Sequence, residues 1–428
     1  MNEPARGRSV RFRLLAIALL PMLVILPLLL GVAIYRWNTR FDATLISKVH
    51  GDLTIAHQYL ARILEKTGVQ IRALGLSARF RDVEEHDSLS AVSELLEKSR
   101  REIGLDFLYL MDAGGKILAS SPAFSGQPKS DWPIIAAALS GEAPSAGIDI
   151  FGNDELAAIS PALAKRARLD LVPTPNAIPT DRSTETHGMV VHAASRATTP
   201  GGASAALVGG ILLNQNLEFI DTINDLVYQS ASLPEGSQGT ATLFLDDVRI
   251  STNVRLFEGR RALGTRVSAA VRAAVMDEGR TWLDSAFVVN DWYISAYEPL
   301  VDSYGKRVGM LYVGFLQKPF SAAKYETLLI VALAFIAITA ATVPIFLRWA
   351  QSIFMPLERV TATIAKWRAA ICPPAPSCGR RVTRSAAWRS TSIRCWTRSR
   401  SATGSCASGT RSSTPGFANE PGISSTPI

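Results

Sequence analysis

Two long apolar runs constrain the fold of this chain more than any other feature. The first, Leu14 to Tyr35, has 22 residues without a charge, and the second, Leu328 to Leu347, has 20. Each is long enough as a helix to cross a hydrocarbon core of about 30 Å. The runs predict membrane-spanning helices at 14–35 and 327–347. A cleavable signal peptide is the alternative for the first run, although no small-residue cleavage site follows it before Arg36.

The charges beside the apolar runs predict the orientation of the chain. Arginines cluster in the basic segment 1–13, and Arg348 closes the second run. Because Lys and Arg concentrate on the cytoplasmic side of membrane helices, both termini are predicted to lie in the cytoplasm. The segment 36–325 is then exported, and because it contains no cysteine it must be stable without disulfides. The arginines before the first run are Arg6, Arg8, Arg11 and Arg13.

The net charge of the chain is concentrated in its last segment, 368–428. This segment holds nine arginines and one acidic residue, Glu420, and the rest of the chain has 36 basic and 36 acidic residues. A basic protein often binds nucleic acid, but the balanced remainder predicts no nucleic-acid partner here. The segment is predicted to be disordered. It contains every cysteine of the chain: Cys372, Cys378, Cys395 and Cys406.

The tail is also interpreted as the product of a shifted reading frame. When its codons are read one frame away from Lys366 onward, with GC-rich choices where the code is free, they allow an Asp-Glu-x-Gly signature. Ile, Leu, Val and Phe then follow at heptad-like spacing, which the tail itself does not show. A genuine disordered segment is the alternative.

The exported segment divides into a stalk helix and two β-rich units. Apolar residues recur at helical spacing without proline over 36–76, which predicts a helix continuing out of the membrane. Both units end in similar apolar strands containing glycine, Val208–Leu213 and Gly309–Leu316, which indicates an internal repeat. The predicted units are 77–216, distal to the membrane, and 217–320, next to it.

Two stretches of the distal unit carry weaker patterns. Glu155–Ile159 is short and mostly apolar, which predicts a strand. The stretch Ala164–Pro200 contains four prolines and many Thr and Ser residues. Long excursions of this kind are usually functional or disordered, and we expect disorder.

Segments of the second unit resemble the Cache sensor domains of bacterial transmembrane receptors. The resemblance covers about Gly236–Phe320 and is to the membrane-proximal type, Cache type 3, found in sensor kinases and chemoreceptors. The first unit resembles it by pattern and repeat alone. The resemblance rests on Arg249–Val254, Gly264–Ser268, Asn290–Ile294, Ala296–Leu300 and Gly309–Gly314.

The resemblance implies both an architecture and a location. The expected fold is α+β, with two transmembrane helices flanking an exported tandem of PAS-like Cache units on a long stalk helix. The expected location is a bacterial inner membrane that the chain crosses more than once, with the sensor region in the periplasm. Receptors of this layout act as dimers, so a homodimer is expected.

In the proximal unit, four residues are candidates for ligand binding. Arg249 and Asn253 fall on one face of a predicted strand, and with Tyr293 and Tyr297 they offer a cation, an amide and two phenols. These groups suit a carboxylate or another small anion. The alternative is a structural role, in which Arg249 pairs with Asp246 or Glu298 and the tyrosines belong to the core.

The distal unit offers a second candidate pocket. Its residues are Tyr109, Trp132, His192 and Arg196. The five histidines of the chain form no cluster with ligand-like spacing, so no metal and no cofactor are predicted.

After the second apolar run, the segment 348–367 resembles the start of a HAMP linker. Pro356 follows the membrane closely, and Leu357, Val360 and Ile364 recur at three- and four-residue spacing. These four residues are predicted to transmit a signal within a parallel helical bundle. A generic amphipathic helix is the alternative.

These features predict a transmembrane receptor that binds a small molecule outside the cell and shifts a two-state equilibrium. One alternative is a sensor histidine kinase whose catalytic half is lost from this chain, with a response regulator as its partner; a chemoreceptor is another. An adhesive or structural exported protein is a third, which the HAMP-like segment disfavours. The chain carries no kinase motif, so no catalytic residue is predicted.

Overall fold

The structure is a computed structural model. It describes residues 10–80, 89–127, 129–141, 145–199, 202–229, 232–256 and 259–371. The predicted tail from residue 372 onward lies outside this part of the chain, and so do the four cysteines. Two compact units are distinguished, 1–354 and 355–428, and the second is described only as the end of a helix.

The first helix, α1, covers Val10–Gly75 without a break, which confirms the predicted long stalk. The last helix, α8, covers Gln317–Ile371 and so includes the first four residues of the predicted tail. The remaining helices are α2 (Leu89–Ile103), α3 (Pro133–Ser140), α4 (Asn153–Ile159), α5 (Pro161–Ala167), α6 (Leu217–Val227) and α7 (Ala269–Arg272), which continues as a π-turn, Ala273–Asp277.

One helical stretch among the described residues has the length and composition of a membrane span. It is Gln317–Trp349 of α8, whose most apolar window has a mean hydropathy of 2.6 and is not buried. The predicted span 327–347 lies within it. The predicted span 14–35 is part of α1, and its described apolar side chains, such as Leu23 and Leu29, are exposed.

The strands form two five-stranded antiparallel sheets and one short pair. The short pair is β4 (Leu169–Asp170) with β5 (Thr184–Glu185). The distal sheet contains β1 (Phe107–Asp112), β2 (Ile117–Ser121), β3 (Ser145–Phe151), β6 (Gly188–Thr198) and β7 (Ser204–Leu212). The proximal sheet contains β8 (Gly239–Leu245), β9 (Val248–Thr252), β10 (Trp282–Val288), β11 (Asp291–Val301) and β12 (Arg307–Leu316).

Both sheets have the same strand order. The order is β2-β1-β7-β6-β3 in the distal sheet and β9-β8-β12-β11-β10 in the proximal sheet. In each, the last strand pairs antiparallel with the first, β7 with β1 and β12 with β8. The shared topology agrees with the internal repeat inferred from the two similar strand endings.

Each sheet buries both of its faces, because side chains alternate along a strand. In the proximal sheet, Leu243 and Val313 pack with α1 and α6, and we call this side the stalk face. Phe244 and Tyr312 point to the opposite side, where they pack with α7, the π-turn and the segment after β9. We call this second side the outer face. The outer face of the distal sheet is the equivalent side, which packs with α3, α4 and α5.

The strand predicted at Glu155–Ile159 is wrong. These residues belong to helix α4, whose start is stabilised by the Gly152 N–H donating to Glu155 Oε2 at 2.7 Å. Two acidic residues in the first turn, Asp154 and Glu155, also favour a helix start. The strand of this region, β3, immediately precedes the helix.

The expected disorder of Ala164–Pro200 is also wrong for its described residues, 164–199. Residues 171–182, here called the strap, cross from the distal unit onto the proximal unit. The Val172 N–H donates to Gly264 O at 2.9 Å, and the Ala269 N–H donates to Asn176 O at 2.7 Å. Gly264 has φ +75°, and a Cβ there would lie 2.1 Å from the carbonyl oxygen of Asp170, so the strap requires glycine at this position.

Candidate ligand-binding sites

Arg249 of β9 lies inside the protein, on the outer face of the proximal sheet. A register shift between Leu243 and Phe244 places Arg249 directly opposite Phe244, so the two side chains share this face. Arg249 is 2% exposed, and its guanidinium carbon lies 5.1 Å from the centre of the Phe244 ring. Its Nε and Nη1 atoms meet no hydrogen-bond acceptor within the described part of the chain.

The two ion pairs considered for Arg249 are absent from the described residues, since both carboxylates are engaged elsewhere. Asp246 Oδ1 lies 3.0 Å from Arg272 Nη2. Glu298 Oε1 lies 2.7 Å from His57 Nδ1, on the stalk helix. Burial lowers the pKa of Arg249, but an arginine stays charged at neutral pH. The site therefore contains a buried cation whose charge is not neutralised by an ion pair.

Three tyrosines surround this cation. Tyr297 and Tyr312 are opposite each other in β11 and β12, with ring centres 4.5 Å apart, and both are almost fully buried. Tyr293 is half-buried on the same face. Burial raises the pKa of all three phenols, so they remain protonated and can donate hydrogen bonds at neutral pH. The neighbouring phenol oxygens partly oppose the lowering of the Arg249 pKa.

An open cleft of about 900 Å³ lies next to this cluster. Tyr293 and Thr240 line it, and the Thr240 hydroxyl also shares a hydrogen bond of 3.0 Å with the buried Tyr312 hydroxyl. The wall of the cleft is thus one side chain away from the buried cluster. Arg261 also lines the cleft and donates two hydrogen bonds to Asp221, of 2.7 and 2.6 Å.

Asn253 has a different environment from the one predicted. It follows the end of β9 and lines the cleft, but its amide is bonded to the backbone of β8. Its Oδ1 accepts from the Ala241 N–H at 2.8 Å, and its Nδ2 donates to Gly239 O at 3.4 Å. The structure therefore brings together Arg249, Tyr293 and Tyr297, and places Asn253 at the edge as a structural contact. Tyr312 and Thr240 were missed by the sequence analysis.

Three of the four distal candidates also lie together. Tyr109, Trp132 and His192 are at most 4% exposed and share the outer face of the distal sheet. The rings of Trp132 and His192 are 5.6 Å apart. Tyr109 Oη, Trp132 Nε1 and His192 Nε2 have no hydrogen-bond partner among the described residues. Arg196 is exposed and lies beside Gly141, at the end of α3, so it is not part of this cluster.

A buried aspartate connects the distal cluster to the proximal unit. His192 Nδ1 lies 2.8 Å from Asp149 Oδ2, and both side chains are fully buried. The Ser303 hydroxyl, in the turn between β11 and β12, donates to Asp149 Oδ1 at 2.5 Å. The sequence analysis missed Asp149, although a single acidic residue in the apolar strand β3 is a detectable pattern. The Ser303 contact joins residues 154 positions apart and leaves no local pattern.

The predicted transmission residues all lie in α8. Pro356, Val360 and Ile364 are exposed, and the side chain of Leu357 is outside the described atoms. No group of three or more His, Cys, Asp or Glu side chains in the described part of the chain could hold a metal ion.

Comparison with known proteins identifies the proximal part of the chain. The family model "Single cache domain 3" matches residues 211–327. These residues form a Cache domain, as the sequence resemblance predicted. The match covers the proximal sheet, α6 and the start of α8. A search of curated proteins finds no match.

Several solved structures are similar to about two thirds of this chain. The periplasmic domain of Vibrio cholerae LuxQ shares 13% sequence identity with this chain and has a TM-score of 0.32. The match covers 64% of this chain and 98% of the LuxQ chain. The sensor domain of the V. cholerae histidine kinase DctB has 13% identity, coverages of 64% and 97%, and a TM-score of 0.35. The ligand-binding domain of the Pseudomonas aeruginosa PAO1 chemoreceptor PctB, in complex with L-Gln, has 14% identity, coverages of 65% and 90%, and a TM-score of 0.27.

Proposed function

We propose that this protein is a membrane receptor whose proximal Cache domain binds a small anion at Arg249. The observation that carries the proposal is the buried guanidinium, whose Nε and Nη1 have no hydrogen-bond partner among the described residues. A buried charge without a counter-ion costs several kcal/mol. A carboxylate or oxyanion would accept from both nitrogens and from the phenols of Tyr293 and Tyr297. The Tyr312 phenol instead donates to Thr240, whose own hydroxyl donates to Gly314 O at 3.0 Å. The adjacent cleft brings solvent to within one side chain, Thr240, of the buried cluster.

Thermal unfolding of the full chain in lipid nanodiscs tests this proposal. The probes are monocarboxylates, dicarboxylates, phosphate and sulfate, each compared with chloride at equal ionic strength. A ligand that binds only the folded state raises the unfolding temperature with its concentration. We expect at least one probe to do so, and Arg249→Met to remove the effect.

The matched control is Arg280→Met. Arg280 belongs to the same domain, but its side chain is 62% exposed and pairs with Glu278 at the surface. This variant should keep the response. The proposal fails if no anion stabilises the unaltered protein, or if the same anion stabilises Arg249→Met equally.

We also propose that anion binding is transmitted through α8. Strand β12 carries Tyr312 of the cluster and continues into α8 at Gln317 with no intervening loop. A second contact joins α8 to the stalk, where Lys324 Nζ lies 2.8 Å from Asp42 Oδ1. A ligand that changes the position of β12 therefore acts directly on the helix that contains the apolar run. The exposed Pro356, Val360 and Ile364 are then the start of a HAMP linker.

The membrane placement completes the proposal. The run at 14–35 is a second membrane span, both termini are cytoplasmic, and the domain acts as a homodimer in a bacterial inner membrane. In a cysteine-free variant, a single cysteine at Lys306 should react with a membrane-impermeant maleimide in intact spheroplasts. A cysteine placed at Arg359 should react only after lysis. Reaction of both, or of neither, before lysis contradicts this orientation.

A second candidate function is a sensor histidine kinase whose output half lies in another reading frame. The alternative frame with its HAMP-like signature favours it, as does the collapse of helical periodicity after Trp367. Sequencing the gene tests it. A single inserted or deleted base near the codon for Trp367, followed by kinase motifs, is expected. An intact frame without such motifs contradicts it.

A further inference from the structure

A partly exposed aromatic pair lies at the α8 end of the proximal sheet. Phe287 and Trp292 are directly opposite in β10 and β11, with ring centres 5.9 Å apart. Trp292 is 53% exposed. The hairpin turn beyond them contains Val289 at φ 60°, a left-handed conformation that a β-branched residue rarely adopts. The pair and the turn form a half-exposed apolar edge, here called the hairpin edge.

The hairpin edge lies beside the first turns of α8. Trp292 lines one crevice with Gln317, Lys318 and Ser321. Ser321 is one helical turn, about 6 Å, from Tyr325 along the helix axis. Tyr325 is 69% exposed and precedes the apolar run that begins at Leu328.

Residues of the stalk helix α1 give a second indication of where the membrane surface lies. Lys324 is paired with Asp42 of α1. Tyr35 and Trp37, which are both exposed, lie on α1 where its apolar run ends. Aromatic residues at the two ends of membrane helices typically occupy the headgroup layer. Tyr325, Tyr35 and Trp37 therefore mark the membrane surface on both helices.

The thickness of the headgroup layer and the distance from Ser321 to Tyr325 place the hairpin edge at this surface. Each headgroup layer of a bilayer is about 5–8 Å thick, from the difference between the total and the hydrocarbon thickness. The crevice shared by Trp292 and Ser321 is thus about one headgroup layer above Tyr325.

We propose that Trp292 and Phe287 insert into the headgroup layer of the membrane crossed by α8. This proposal rests on the proposed membrane placement of α8. The indole ring combines an apolar surface with an N–H donor, which suits the boundary between headgroups and water. Lys318, in the same crevice, supplies a cation for a lipid phosphate. Because Tyr293 and Tyr297 are on β11 beside Trp292, this contact ties the strand of the anion site to the bilayer.

Site-specific fluorescence quenching in nanodiscs tests this contact. In a full-length variant with the four cysteines replaced by serine, Trp292→Cys carries an environment-sensitive fluorophore. The nanodiscs contain phosphatidylcholine with a fraction spin-labelled on its headgroup, which quenches only nearby fluorophores. Phe287→Cys is a second probe on the same edge, in case the first variant is poorly folded.

Two control positions make the result decisive. Tyr304→Cys reports on an equally exposed aromatic position, 50% exposed, in the turn at the opposite end of β11. Tyr325→Cys reports on the membrane placement of α8. We expect quenching at 325, comparable quenching at 292, and none at 304.

Quenching at 325 with none at 292 or 287 would overturn the lipid contact and leave the proposed function intact. Absence of quenching at 325 as well would contradict the membrane placement of α8, and with it both proposals.

Discussion

Replacing Arg249 by methionine should stabilise the unliganded protein, although it removes a fully buried side chain. Two guanidinium nitrogens are buried with no acceptor in the part of the chain that the structure describes, and each unsatisfied donor costs about 1–3 kcal/mol. Against this, the contact with the Phe244 ring at 5.1 Å is worth about 0.5–2 kcal/mol. Methionine keeps much of the volume. Two such donors less the ring contact leave a net gain of between about 0 and 5 kcal/mol. We expect about 1–4 kcal/mol, the gain that is typical when buried charges are replaced by apolar residues.

The assay is chemical denaturation of the full chain in nanodiscs without added anion, with Arg280→Met as the control. The control should change the free energy of unfolding by less than about 0.5 kcal/mol, because exposed ion pairs contribute little. The reasoning is refuted if Arg249→Met destabilises the protein by 2 kcal/mol or more, on the order of a core truncation. Such a loss would mean that Arg249 is a structural residue with internal partners.

Three further predictions concern other parts of the chain. Gly264→Ala should separate the strap from the proximal unit, because its Cβ would lie 2.1 Å from the Asp170 carbonyl oxygen. Hydrogen exchange of the backbone amides in 171–182 should therefore become faster. The control is Gly305→Ala, where φ is +79° but nothing lies within 4 Å of the added Cβ; it should leave the exchange in 171–182 unchanged. Ser303→Ala should lower the free energy of unfolding by about 1.5–3 kcal/mol, since it removes a donor to the buried Asp149 carboxylate. The control Ser93→Ala, which removes only a surface bond from the Ser93 hydroxyl to Leu89 O, should cost far less in the same denaturation assay. The hydroxyl of Ser121 and the guanidinium of Arg100 lower the pKa of Glu97 from 4.5 to about 2, so the stabilisation is complete above pH 4.5 and is lost as the pH falls towards 2. Glu97→Gln should flatten the pH dependence of the unfolding temperature in that window, and an unchanged slope would contradict the assignment.

Local patterns in the sequence were sufficient for the stalk part of α1 and for the strands β7 and β12 that end the two units. The absence of proline over 36–76 and the helical spacing of its apolar residues predicted the stalk part of α1. The strand Glu155–Ile159 failed because a five-residue apolar pattern does not separate a strand from a short helix. The bond from the Gly152 N–H to Glu155 decides in favour of the helix.

The strap shows a second limit of local patterns. Its prolines and threonines predicted disorder, but its backbone is ordered by bonds to Gly264 and Ala269, about 90 residues further along the chain. No property of the strap itself indicates these partners. The composition of a segment indicates only how much apolar surface that segment can bury by itself.

The candidate sites, too, were predicted in part from local patterns and depended in part on contacts between distant residues. The strand pattern predicted that Arg249 and Asn253 share one face, and Tyr293 and Tyr297 were grouped with them as candidates. The structure brings Arg249 and the two tyrosines together but bonds Asn253 to the backbone of β8; the binding of a ligand stays a prediction. The competing ion pairs of Arg249 were open because Asp246 and Glu298 are both near in sequence or sheet position. The structure engages these carboxylates with Arg272 and His57 instead. Only the three-dimensional arrangement distinguishes these outcomes.

The most direct test of the anion site is the nitrogen resonance of the Arg249 side chain in the full-length protein in nanodiscs. Its Nε–H signal is assigned by its loss in Arg249→Met, and the anion that stabilises the protein is then added. We predict that this signal shifts on addition as Nε–H acquires an acceptor, and that the Arg280 signal does not move. An Arg249 signal that stays unchanged while that anion is bound would contradict the account.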